Sequence, residues 1–120
     1  MATTYNHKTI NPANAYLVRS QIRRWMSATN TFDLWTGLSN LTVGFYTDAL
    51  GVNAIAGLTG IGMSESSVLG TYFAVVSAAS TVVLGTSYNN QTVYQIVAGG
   101  PNNEIKVVTP LVVTQPRYAQ

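Results

Sequence analysis

Only eleven side chains of this sequence carry or can readily acquire a charge: four acids, six bases and a single histidine. A metal centre built on imidazoles is impossible with His7 alone, and a nucleophile–histidine–acid triad would have to draw it from a polar stretch, so a solvated or interface histidine is the simpler reading. Asp33, Asp48, Glu65 and Glu104 are scattered one per segment, a pattern that suits turns and strand ends better than a paired acid and base. There is no cysteine, which removes thiolate metal sites, thiol catalysis and disulfides together. Gly57-Leu58-Thr59-Gly60-Ile61-Gly62 has the glycine content of a phosphate loop. It lacks both the Gly-Lys-Ser/Thr of a P-loop and the Gly-x-Gly-x-x-Gly order of a dinucleotide fold. No catalytic residue, metal ligand or cofactor site is expected.

What remains is a chemistry of contact. Arg19, Arg23 and Arg24 form the one cluster of charge, placed to meet an acidic neighbour or simply to solvate an exposed face. Toward the ends, Tyr5 and Lys8 on one side and Arg117 and Tyr118 on the other each pair a tyrosine with a cation. A tyrosine can bury its ring and still hydrogen-bond at its tip, which suits an arm laid across a partner. Those seven residues are the candidate interface. A ligand-binding alternative gathers Trp25, Trp35, Tyr46, Tyr72 and Phe73 around a small molecule or glycan.

Charged residues make up 8% of the chain, against about a quarter in ordinary soluble domains. Such a chain either hides much of its surface against partners or covers it with Thr, Ser, Asn and Gln. The net charge of +2 argues against nucleic acid, whose binding grows with each phosphate neutralised. Val68 to Gly85 is long and uncharged enough to raise the question of a membrane span. Its glycine, serines, threonines and β-branched residues, without flanking bases, argue against one. Met1 to Ile10 has no apolar core, so no secretory signal is expected.

The elements that must position these residues read as follows. Residues 1–10 are an arm, and residues 11–120 a single β-rich domain. Asn11-Pro12 is a helix start, and Ala15, Val18, Ile22, Trp25 and Met26 recur at helical spacing, so a helix is expected over 12–28 with Ile22 and Trp25 as anchors. Strands are expected at Phe32–Trp35 and Leu41–Tyr46, joined as a hairpin. A meander of Val68–Val76, Thr81–Leu84 and Thr92–Val97 follows, and then Glu104–Thr109 and Leu111–Thr114 on either side of Pro110. Residues 51–62 suit either a loose strand or a glycine-rich loop. The fold class is mainly β, a small antiparallel sandwich or barrel with one N-terminal α-helix.

The Thr/Asn/Val/Gly/Tyr-rich texture, free of cysteine and of a signal, resembles that of small virion proteins of tailed bacteriophages, which decorate or cement a capsid or fit its neck and tail. Fibre and surface-layer subunits share it. The resemblance implies a coat-associated homo-oligomer, often trimeric, with no cofactor. Its partners would be itself and other structural proteins, and its place the virion after synthesis in the host cytoplasm, or failing that the cytoplasm.

Overall fold

The computed structural model describes residues 8–114, which form ten strands, one α-helix and a 3-10 turn at Pro101–Asn103. The strands are β1 (Lys8–Ile10), β2 (Tyr16–Gln21), β3 (Arg23–Met26), β4 (Thr31–Leu34), β5 (Thr42–Tyr46), β6 (Ile61–Gly62), β7 (Ser64–Glu65), β8 (Thr71–Val76), β9 (Thr92–Gly99) and β10 (Ile105–Val113), with helix α1 (Ala78–Ser87) between β8 and β9. A larger sheet runs β1-β10-β9-β5-β6 and a smaller one β2-β8-β7, while β3 and β4 pair only with each other. All pairings are antiparallel except β1 with β10, where Lys8 stands against Leu111.

Two-residue alternation makes the core. On β8, Tyr72, Ala74 and Val76 are buried while Thr71, Phe73 and Val75 face outward. On β5, Val43 and Phe45 point in, and on β9 Val93, Gln95 and Val97 do the same. The inner faces of the two sheets meet, with Tyr16 of β2 edge-on to Phe45 of β5 at 6.2 Å between ring centres. The chain changes sheet between β6 and β7, at buried Met63, whose amide donates to Leu41 O at 3.0 Å. The expectation of a mainly β, sandwich-like domain with one helix therefore holds.

The helix is not where the spacing put it. Residues 12–28 hold a turn, β2 and β3. Asn11-Pro12 opens a turn in which Ala13 takes φ 64°, so the cap signature serves a reversal of the chain. Val18 and Ile22 are buried as expected, yet Ala15 and Trp25 are exposed. Pairing of β2 with β8 along Tyr16↔Val76 to Gln21↔Thr71 satisfies every second residue's backbone, which outweighs the local helical stripe. The helix lies instead at Ala78–Ser87, across the Thr81–Leu84 stretch expected to be a strand. Ser77 starts it: extended itself, it accepts a hydrogen bond on Oγ from the Ser80 amide at 3.2 Å. Thr81 and Leu84 are buried, and the Thr81 hydroxyl donates to Asn14 O at 2.9 Å. The supposed meander is thus strand, helix, strand, passing from one sheet to the other.

Three smaller expectations are also corrected. Phe32–Trp35 and Leu41–Tyr46 are not a hairpin, since β4 pairs with β3 and β5 with β9 and β6. Lys8–Ile10, the end of the expected arm, is strand β1. Pro110 does not end a strand: β10 runs through it. Val113 bonds to Gln91 across β9, so Pro110, an odd number of residues away, turns its nitrogen to the other side, beyond the three residues that β1 covers.

Candidate interaction surface

The β3–β4 hairpin leaves and re-enters the domain at one residue. Ile22 N donates to Gly70 O at 2.9 Å, and Trp35 N donates to Ile22 O at 2.8 Å. Two side chains that face each other across β7 and β8 hold the returning strand. The Tyr72 hydroxyl, on a fully buried side chain, donates to Trp35 O at 2.6 Å and accepts from Leu38 N at 3.1 Å. The Glu65 carboxylate accepts from Gly37 N at 3.0 Å and from Gly70 N at 2.8 Å. Gly70 has φ 82°, and a Cβ there would lie 2.9 Å from Leu34, so this glycine is what lets the base of the hairpin close.

Beyond its base the hairpin is open to solvent. Trp25 and Phe32 stand opposite each other, edge-on at 5.1 Å, and remain 51% and 63% exposed. Register places Arg23 and Leu34 on that same face and Arg24 and Asp33 on the other. Arg23 is spent locally, Nε donating to Gln21 Oε1 and Nη1 to Phe32 O, both at 3.2 Å. Arg24 lies 4.9 Å over the Trp35 ring, a cation–π contact. Between the hairpin and the start of β10 these groups line an open cleft of about 480 Å³, with Lys106 and Glu104 on its far wall.

A second apolar surface covers the outside of the smaller sheet. Leu17 of β2 is 49% exposed and Val75 of β8 60%, and they are register partners. Beside them Arg19 and Phe73 border a groove of about 430 Å³ closed by Ser66–Val68. On the larger sheet's outer face, Tyr46 lies over Gly44 and the 47–53 loop covers Ile96, where Gly51 sits against its side chain. That loop is fixed by Asp48, whose carboxylate accepts from Asn53 N at 2.7 Å and Val52 N at 3.1 Å. Those bonds, Asn53's first, hold its pKa below the usual carboxylate value.

No family model, curated protein or solved structure matches the chain.

The three arginines expected as one cluster are therefore divided among the outer face of β2 and the two faces of β3. Lys8 enters through its backbone in β1, and Tyr5, Arg117 and Tyr118, with His7, lie outside the described residues. Of the five aromatics proposed to surround a ligand, only Trp25 and Trp35 share a cleft. Tyr72 is in the core, Phe73 borders the outer groove and Tyr46 is on the other sheet. Leu17, Phe32 and Val75 were not singled out in the sequence. The alternation in Tyr16-Leu17-Val18-Arg19 was the one signal available for Leu17. Among the described residues no set of acids and histidine approaches a metal site, and no helix is long and apolar enough to cross a membrane.

Proposed function

We propose that this protein is a non-enzymatic structural subunit that works through contacts with its own copies and with other proteins of a larger assembly. The phage-like composition suggests a capsid decoration or cement protein, or a neck or tail accessory protein, located in the virion. One observation carries the reading: a two-stranded sheet, joined by no third strand among the described residues, presents an arginine-flanked Trp25–Phe32 pair to solvent. A lone hairpin has little stability of its own. Exposed contiguous apolar surface marks a site of association, and a tryptophan beside arginine is the composition of interface hot spots.

The test is sedimentation across the micromolar range on the wild type and on Trp25→Ala/Phe32→Ala. The wild type should exceed the 12.9 kDa of one chain, and the double variant should keep its circular dichroism and melting temperature while forming smaller assemblies than the wild type. A wild type that stays a monomer, with the variant indistinguishable from it, overturns the reading. The resemblance implies a trimer, and the same experiment reads the order.

A ligand- or glycan-binding module is the second reading, favoured by the cleft that Trp25 and Trp35 share. It ranks second because the cleft is open and Tyr46, Tyr72 and Phe73 lie elsewhere in the fold. A saturable change in tryptophan fluorescence on titration with soluble oligosaccharides would raise it to first place.

A further inference from the structure

Among the described residues, the smaller sheet has one long uncovered edge. Its order is β2-β8-β7, and the outer margins of the larger sheet are short, three residues in β1 and two in β6. β2 is six residues long. Its register with β8, together with Ile22 N donating to Gly70 O, fixes which groups face which way. Tyr16, Val18 and Ser20 exchange backbone bonds with β8, whereas the N–H and C=O of Leu17, Arg19 and Gln21 point away from it. Among the described residues no backbone or side-chain group bonds to those three pairs. β2 has no proline, bulge or inward-facing charge to blunt its edge, and its one charge, Arg19, stands on the outer face. The face beside this edge is apolar as well, with Leu17 and Val75 exposed.

We infer that the free edge of β2 pairs antiparallel with β2 of a second copy, about a two-fold axis at Val18, joining the two smaller sheets into one continuous six-stranded sheet. This rests on the self-association proposed above and adds to it a contact of defined geometry, separate from the Trp25–Phe32 surface. Charge selects the register. An axis at Arg19 would set two arginines directly opposite each other, which is unfavourable. An axis at Val18 sets Leu17 against the second copy's Arg19 twice over, lays each arginine's aliphatic stem along a leucine, and closes about four backbone hydrogen bonds between the Leu17–Arg19 stretches. Both side chains are on the outer face, so the apolar surfaces around Leu17 and Val75 in the two copies merge. The pairing is isologous, and its product is a dimer in place of the trimer implied by composition.

The test is sedimentation equilibrium on full-length variants at positions 17 and 19, with circular dichroism and melting as folding controls. Leu17→Glu and Leu17→Lys lose the same apolar contact but place opposite charges against Arg19 of the second copy. The Glu dimer should be tighter than the Lys dimer by at least about 5-fold, twice the cross-strand effect of one pair, and the gap should narrow in high salt. Adding Arg19→Glu to Leu17→Lys should restore the dimer. Arg19→Pro, whose lost N–H has no partner in the single subunit, should keep the fold and abolish pairing. An oligomer of odd order, or one indifferent to charge at 17 and 19, overturns the β2 pairing and leaves the assembly reading standing. A wild type monomeric throughout overturns both.

Discussion

Removing one oxygen atom should loosen the whole base of the hairpin. In Tyr72→Phe the ring keeps its place in the core, but Leu38 N and Trp35 O lose the hydroxyl that bridges them at 3.1 and 2.6 Å. The side chain is fully buried and Leu38 nearly so, so water does not readily replace it. Each buried group left without a partner costs about 1–3 kcal/mol, so the pair should cost roughly 2–4 kcal/mol out of a total stability of about 5–15 kcal/mol. For a domain of this size that is a fall in melting temperature of roughly 10 °C. Urea unfolding should show a lower midpoint at unchanged slope, and the Leu38 and Gly37 amides should exchange faster while those of β9 do not. The alkaline limb offers an independent check. Burial chiefly, with the Glu65 charge adding and the Leu38 N–H opposing, raises the Tyr72 pKa in the folded chain. A raised folded-state pKa means stability that is complete below about pH 10, the unfolded tyrosine value, and lost as pH climbs beyond it. Tyr72→Phe should flatten that limb, leaving the contribution of Tyr16, whose pKa burial also raises. An unchanged midpoint, or faster exchange spread evenly over the domain, would refute the assignment of Tyr72 as the pin.

Two further substitutions probe the loops. Gly99 has φ 140°, and a Cβ there would meet Asn40 O at 2.3 Å, backbone against backbone. Gly99→Ala should therefore cost more than about 3 kcal/mol and yield little folded protein, whereas Gly62→Ala, with open space around it, should melt near wild type. Asp48→Asn should free the 47–53 loop and expose Ile96 to faster exchange. Because the Asp48 pKa is depressed in the folded chain, its contribution is present above about pH 4 and lost as pH falls below, so the variant should show a shallower acid limb, and an identical acid limb would remove the carboxylate from that role.

The strands that carry the core could be read from β-branched and aromatic runs: β5 and β8 lie within stretches expected to be extended, β9 runs two residues past its stretch, and β10 joins two of them through Pro110. Segments whose fate depends on distant partners could not. Val18, Ile22, Trp25 and Met26 fit a helical stripe, and nothing local says that Val18 is met by Ala74 across a sheet while Trp25 is met only by Phe32. The reverse error befell α1, where Thr81-Val82-Val83 has strand propensity and the cap at Ser77-Ala78-Ala79-Ser80 was the overlooked signal. For the interaction surface, the sequence offered the residue types, arginine beside tryptophan, without their layout. A helix would have placed Arg19 and Arg23 on one face, four residues apart. The turn of the chain at Ile22 sends them to different sheets.

The pairing of β1 with β10 sets a condition on when a subunit can be born. Among the described residues Lys8–Ile10 pairs only with Leu111–Val113, and β10 lies between β1 and β9 within the larger sheet. This sheet cannot close until β10 has been made, and its closure joins residues about a hundred positions apart, a slow kind of contact to form. Assembly would therefore draw only on chains extended through β10. A truncated product that lacks β10 would lose the strand that joins β1 to β9 in its larger sheet and, with it, any folded surface to offer a neighbour.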